Sequence, residues 1–288
     1  VVDELSQAQY DTVYNMLSLV IAAQLFTALF LIVSRNRVLP RYRAALVISA
    51  IVCGIAAYHY FRILGSFSDA YVTDAVGGAG VYTLAEGASF NLAYRYVDWL
   101  LTVPLLLLET VAVLALARRT QASLMFRLVP AAALMIALGY PGEISTDTTE
   151  KVVWGALSTI PFAYILYVLF VELSRTLADQ PREVRVTVRN LRWLLLATWG
   201  VYPIAYLLPI LDVTGSDAFV GREIGYSVAD ILAKALFALV IFRIARIKSA
   251  YDSPSYAREH DPHTVRMLEE IDGQPLAEPP TARATAAV

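Results

Sequence analysis

The stretch Gly225-Tyr226-Ser227-Val228-Ala229-Asp230-Ile231-Leu232-Ala233-Lys234 decides the reading of this chain. It lies inside the last long apolar run, from about residue 224 to 247. A lysine and an aspartate at membrane depth are costly, and they persist there mostly when they pair, face an interior and carry a function. Four residues of separation put Asp230 and Lys234 on one helix face, about 6 Å apart along the axis. A desolvated lysine amine can be neutral and attack an aldehyde, giving a Schiff base.

Outward from that run, the chain reads as an all-α membrane protein. Of its 288 residues 58% are hydrophobic and 17% charged, with a mean hydropathy of +0.56; a soluble chain carries about a quarter charged residues. Seven spans are predicted, at roughly 10–34, 43–66, 91–117, 124–141, 151–177, 190–211 and 223–247. Each is long enough to cross a hydrocarbon core as a helix, the form in which its backbone satisfies itself. Arginines gather on alternate links: Arg35, Arg37, Arg41 and Arg43; Arg118, Arg119 and Arg127; Arg182, Arg185 and Arg189; Arg243 and Arg246. Acids gather on the others, among them Asp3, Asp69, Asp74, Glu86, Glu143, Asp212 and Glu223. This asymmetry predicts the N-terminus outside and the C-terminus in the cytoplasm of a cell membrane.

Residues 1–249 are therefore expected to form one seven-helix domain, and residues 250–288, polar and rich in Pro, Ala and Glu, a disordered cytoplasmic tail. Between spans two and three, Gly77-Gly78-Ala79-Gly80 before Val81-Tyr82-Thr83-Leu84 predicts a short hairpin. A single cysteine, Cys53, leaves no internal disulfide and no metal cluster to expect. No cleavable signal is read, and the first span is expected to serve as the insertion signal. The net charge of −2 and the lack of a basic stripe give no reason to expect nucleic acid.

The third span adds a second polar set, in Arg95-Tyr96-Val97-Asp98-Trp99-Leu100-Leu101-Thr102-Val103-Pro104 followed by Glu109. Steps of three, four and seven residues place Arg95, Asp98, Thr102 and Glu109 on one face, with Asp98 and Glu109 about 16 Å apart along the axis. Given the predicted orientation, Arg95, Asp98 and Asp230 lie outward of Lys234 and Glu109 lies inward. Apolar neighbours favour the neutral acid at Glu109, whereas nearby cations favour ionised Asp98 and Asp230. That polarity suits outward proton transfer. A lone membrane carboxylate is often only an interhelical hydrogen-bonding group; four polar positions in phase, with a second pair on another span, argue against that reading.

These strings resemble the microbial (type 1) rhodopsins, in particular the proton-pumping branch of xanthorhodopsin, Gloeobacter rhodopsin and proteorhodopsin. The resemblance covers about residues 8–249 and is carried by the third- and seventh-span strings, by Trp199-Gly200-Val201-Tyr202-Pro203, by Tyr140-Pro141-Gly142-Glu143 and by Tyr58-His59-Tyr60-Phe61-Arg62. It implies a light-driven outward proton pump, an ion transporter rather than an enzyme, with all-trans retinal on Lys234 as a protonated Schiff base. Asp98 would be the primary counterion and proton acceptor, Asp230 the second counterion, Glu109 the cytoplasmic donor, and His59 a partner of Asp98. Asp, Thr and Glu at 98, 102 and 109 match the proton pumps of this branch, not its sodium or chloride pumps.

By the same resemblance Trp99 and Trp199 sandwich the polyene. Tyr202, Pro203, Met135, Gly139 and Ser158 line its pocket, with Tyr60 beside it and Leu106 at the colour-tuning position. Gly155 replaces the tryptophan of bacteriorhodopsin and would open a window for a carotenoid antenna; a glycine there is equally a close-packing residue. A ring-shaped homo-oligomer is also implied. Two other functions remain open: a photosensor signalling through a membrane partner, for which a carboxylate at Glu109 is unusual, and a transporter or receptor with no chromophore.

Overall fold

A chain in hydrocarbon has no water to satisfy its backbone, so its spans form helices and their polar side chains turn toward one another. In the computed structural model, which describes residues 2–73, 80–178 and 180–279, seven helices do this. They are α1 (Gln7–Ser34), α2 (Pro40–Ala70), α3 (Ala93–Val113), α4 (Arg118–Ile144), α5 (Thr148–Tyr167, continued to Thr176), α6 (Arg182–Trp199 and Val201–Leu207) and α7 (Ser216–Asp230, continued to Asp252). Five of them, α1 to α5, are long and apolar enough to cross a membrane. The other two are interrupted. Pro203 has no N–H for the carbonyl of Trp199, and α6 breaks at Gly200. In α7 the residues Ile231–Leu236 widen into a π-segment.

The predicted spans hold, with shifted ends. The sixth helix starts at Arg182, well before the predicted 190, because its first turns are amphipathic: Val184, Val188 and Leu191 are buried while the intervening arginines point away. A window that scores only apolarity passes over such turns. The third ends at Val113, where Ala115 takes a left-handed turn (φ 47°).

One end of the bundle carries a small antiparallel sheet, in the order β1 (Glu4–Ser6), β3 (Val81–Leu84), β2 (Tyr71–Val72). The predicted hairpin is thus β2 with β3, joined by an N-terminal strand that the sequence reading missed; Asp74 and the glycine turn at residues 77–79 lie outside the described residues. We call this the sheet end.

The opposite, tail end corrects an expectation. Residues beyond 250 were expected to be disordered, yet they form α8 (Pro254–His260) and α9 (Pro262–Asp272), folded back on the bundle. Ala257, Val265 and Leu268 are buried there. Arg246 grips Asp261 with two bonds, Nε to Oδ2 at 2.5 Å and Nη2 to Oδ1 at 2.7 Å. Burial opposes the ionised Asp261 carboxylate, but the arginine fork outweighs it and holds the pKa below the ordinary aspartate range. Composition hid this because the apolar residues are few; what matters is that they share one face. Residues 280–288 lie outside the described residues.

Candidate functional site: a buried lysine between two aspartates

Lys234 leaves α7 from within the π-segment and is buried at the bundle centre. Its Nζ lies 2.5 Å from Asp98 Oδ2 on α3 and 2.9 Å from Asp230 Oδ2 on its own helix. Both carboxylates are buried. Asp230 is also held by two phenols: Tyr60 donates to Oδ2 at 2.8 Å and Tyr202 donates to Oδ1. Asp98 is less occupied, since its Oδ1 has no hydrogen-bond partner. His59 Nδ1 stands 3.6 Å from that oxygen and 3.0 Å from the Ile55 carbonyl. Of the two aspartates, Asp98 therefore has the freer oxygen.

Arg95 departs from expectation. The sequence predicts it as a cation near the two aspartates; instead it pairs with Glu223, two residues before the stretch quoted above and also buried. Arg95 is linked to Asp230 through Tyr60, donating to that hydroxyl at 3.2 Å. Lys234 already pairs with both aspartates, and Arg95 lies three residues of α3 closer to the sheet end than Asp98, where it meets Glu223. The sequence assigns Glu223 no role, although its seven-residue step to Asp230 puts both on one face of α7. Thr102 also behaves differently from a carboxylate partner: its hydroxyl donates to the backbone carbonyl of Asp98 at 2.8 Å.

Glu109 is alone. It lies three turns of α3 toward the tail end, 0% exposed, and neither carboxyl oxygen has a hydrogen-bond partner. A carboxylate so placed has little to compensate for lost water.

Lys234 also forms the floor of a cavity of about 320 Å³. Trp99, Leu106, Met135, Gly139 and Ser158 line it, as expected, and so do Trp199, Tyr202, Pro203 and Gly155. Tyr60 does not appear in that wall and acts on Asp230 instead. The lining is overwhelmingly carbon, and Trp99 and Tyr202 pack edge-on with centroids 4.8 Å apart. A Cβ on Gly139 would stand 3.4 Å from Ser158 Oγ and 3.5 Å from the Tyr96 ring, so the wall there is already close. From Lys234 the cavity runs to Lys151 and Val152 at the start of α5, where Val152 is an exposed side chain on the flank of the bundle.

A seven-helix membrane bundle with a buried amine closing an apolar cavity is the architecture of a protein that attaches an aldehyde chromophore within the bilayer. The profile of the family described as Bacteriorhodopsin-like protein matches residues 11–248, and the chain belongs to that family, the microbial rhodopsins. The green-light absorbing proteorhodopsin of Gamma-proteobacterium EBAC31A08 is 28% identical over 230 residues, 79% of this chain and 84% of that protein. Archaerhodopsin-2 of Halobacterium sp. (strain aus-2) is 33% identical over 204 residues, 68% of this chain and 76% of that one. Among solved structures, thermophilic rhodopsin superposes with a TM-score of 0.82 at 46% identity, covering 86% of this chain and 98% of its own. Xanthorhodopsin, described as a light-driven ion pump with dual chromophore, gives 0.81 at 44% identity over the same shares. The chain is a retinal-family protein of that branch.

Proposed function

We propose that this protein is a light-driven proton pump that carries all-trans retinal on Lys234 and moves protons from the tail end to the sheet end, outward across a prokaryotic plasma membrane. One observation carries the reading: the lysine amine is clamped by two carboxylates on its sheet-end side, and Glu109, a buried acid whose oxygens have no hydrogen-bond partner among the described residues, lies three turns of α3 from Asp98 toward the tail end. The cavity fits retinal in its chemistry, since its wall is apolar and aromatic and its one buried cation is the amine that would bind the aldehyde.

Retinal, when bound, supplies light absorption and an isomerisation that changes where the proton on the lysine nitrogen points. The protein residues do the rest. Asp98 Oδ2 is 2.5 Å from Nζ and takes that proton, its other oxygen being free to receive it or to meet His59. Asp230 stays ionised because two phenols and the lysine hold it, and so keeps the site anionic after Asp98 is neutralised. Glu109 Oε then returns a proton to Nζ from the tail end and refills from that side. The Arg95–Glu223 pair closes the sheet end and is the next charged station beyond Asp98. The outward sense rests on the arginine-rich links lying at the tail end.

Illumination of unbuffered cells that make the protein with retinal tests the whole scheme. The medium should acidify in light, and a protonophore should abolish the signal. Coloured protein with no light-dependent pH change would instead point to a photosensor, and no colour at all to a bundle without chromophore.

His59 is proposed to tune Asp98. In His59→Asn the pH titration of the visible band should move by about one unit, the scale of losing one charged or hydrogen-bonded neighbour. A titration identical to that of the unaltered protein would remove His59 from the counterion.

Gly155 is proposed as the window for a carotenoid antenna beside the retinal ring. Tyr206 leans over it, so that a Cβ at 155 would come within 2.9 Å of Tyr206 Cε1, and Tyr206 is itself fixed by donating to the Lys151 carbonyl at 2.6 Å. If an antenna binds, carotenoid bands appear in the action spectrum for acidification, and Gly155→Trp erases them; because the indole also displaces Tyr206, a wall of the same cavity, the retinal band should shift but persist. The absence of such bands with ketolated and hydroxylated carotenoids alike would refute the antenna.

A further inference from the structure

Gln24 is a full amide in the middle of the apolar helix α1, and it is 0% exposed. A buried amide without partners is expensive, so its bonds say what it is for. Its Nε2 donates to one acceptor, the backbone carbonyl of Asp230, at 2.9 Å. That carbonyl has a special position. Asp230 is the last residue of the α-helical part of α7, and from Ile231 to Leu236 the chain runs as a π-segment. Where an i→i+4 ladder gives way to i→i+5, a carbonyl no longer has its regular partner to itself, and an inserted side chain can hold the register open.

The same device recurs at a second place in the molecule. The continuation of α5, Val168–Glu172, is also a π-segment, and the buried Arg192 of α6 donates to its Leu169 carbonyl at 2.9 Å. At both sites a polar side chain from a neighbouring helix meets a carbonyl at the widened turn.

We infer that Gln24 is a positioning residue for Lys234: its amide fixes the register change at Asp230 and thereby the direction in which the lysine leaves α7. Widening a turn changes the angle at which its residues leave the helix axis, and Lys234 lies inside the widened turn, four residues past Asp230. The rotation observed brings Nζ to Asp98 on α3 as well as to Asp230. The Asp230 side chain cannot set that rotation alone, because its carboxylate is already shared among Tyr60, Tyr202 and Lys234. Gln24 acts on the backbone of the same residue, through a bond that none of those groups makes.

The inference rests on the reading that Lys234 carries retinal, and the test separates the two. Gln24→Met keeps the side-chain length and removes the donor; Gln24→Glu, neutral in this setting, restores a donor at the same reach; Val20→Ala, one turn away on the same buried face, perturbs only packing. In the retinal-free protein, backbone amide exchange over residues 231–236 should quicken several-fold in Gln24→Met and stay near the unaltered rate in the other two. In the pigment, the visible band of Gln24→Met should shift, with the midpoint of its pH titration displaced by about one unit or more, and Gln24→Glu should recover both. Equal exchange rates in all four proteins would overturn the inference, whether or not pigment forms. So would a Val20→Ala effect as large as that of Gln24→Met, because the bond would then add nothing to packing. Should Gln24→Met fail to accumulate, Gln24→Leu provides the donor-free comparison, and failure of both while Gln24→Glu folds counts for the inference. If the unaltered protein forms no pigment, the proposed function fails, and the exchange arm still decides the role of Gln24.

Discussion

Alanine at position 234 should leave the protein colourless in the presence of retinal. The sequence contains three lysines, at 151, 234 and 248. Lys151 lies at the far end of the same cavity, with its Nζ 3.3 Å from the Gly142 carbonyl, and Lys248 sits near the tail end against Gln180. Neither stands between two carboxylates, so neither can hold a cationic nitrogen in the apolar cavity. Lys234→Ala also leaves Asp98 and Asp230 buried without their cation, a change that costs about 3–5 kcal/mol for a broken buried pair. The folded yield and thermal stability should fall accordingly, and one aspartate should take up a proton to relieve the repulsion. The check is an absorption spectrum after reconstitution with retinal, with Lys151→Met and Lys248→Met as controls that keep their colour. Hydroxylamine-sensitive pigment in Lys234→Ala would place the attachment elsewhere, and Lys151, which shares the cavity, would be the first position to examine.

The second large effect belongs to Asp98. In Asp98→Asn, light-driven acidification should fall by about two orders of magnitude or more, the usual contribution of a positioned proton-transfer group. Colour should survive, because Asp230 remains 2.9 Å from the nitrogen and keeps its two phenols. The band should move to longer wavelength: a carboxylate at 2.5 Å stabilises the positive nitrogen in the ground state, and removing it narrows the gap to the excited state, in which that charge has moved away. The corresponding Asp230→Asn should perturb folding and the spectrum more than proton transfer, since that group is held rather than free. If Asp98→Asn still acidified the medium at an undiminished rate, the assignment of acceptor would pass to another group.

Much of this site was legible before any coordinates. The four-residue step from Asp230 to Lys234 and the in-phase Arg95, Asp98, Thr102 and Glu109 are properties of helix geometry; that Asp98 meets Lys234 is decided by how α3 packs on α7. The pocket wall followed from strings whose resemblance to the microbial rhodopsins is specific. What the sequence hid was pairing across helices. Nothing in the local pattern says that Arg95 faces Glu223 rather than Asp98, because that depends on how far α7 is slid along α3. Gln24 was hidden for a different reason: one amide in an apolar span looks incidental until the π-segment opposite it is seen. The tail was misread because composition averages over 39 residues, whereas packing needs only the few apolar ones that share a face.

The folded tail has a practical consequence for handling the protein. Cutting the chain at the close of α7 would strip the cover from an apolar patch and leave Arg246 without its carboxylate. Shortened versions should therefore clump more readily in detergent than full-length ones. A purification handle or fluorescent fusion is better joined after residue 279 than at the bundle's edge, where it would displace a part of the protein that is already in use.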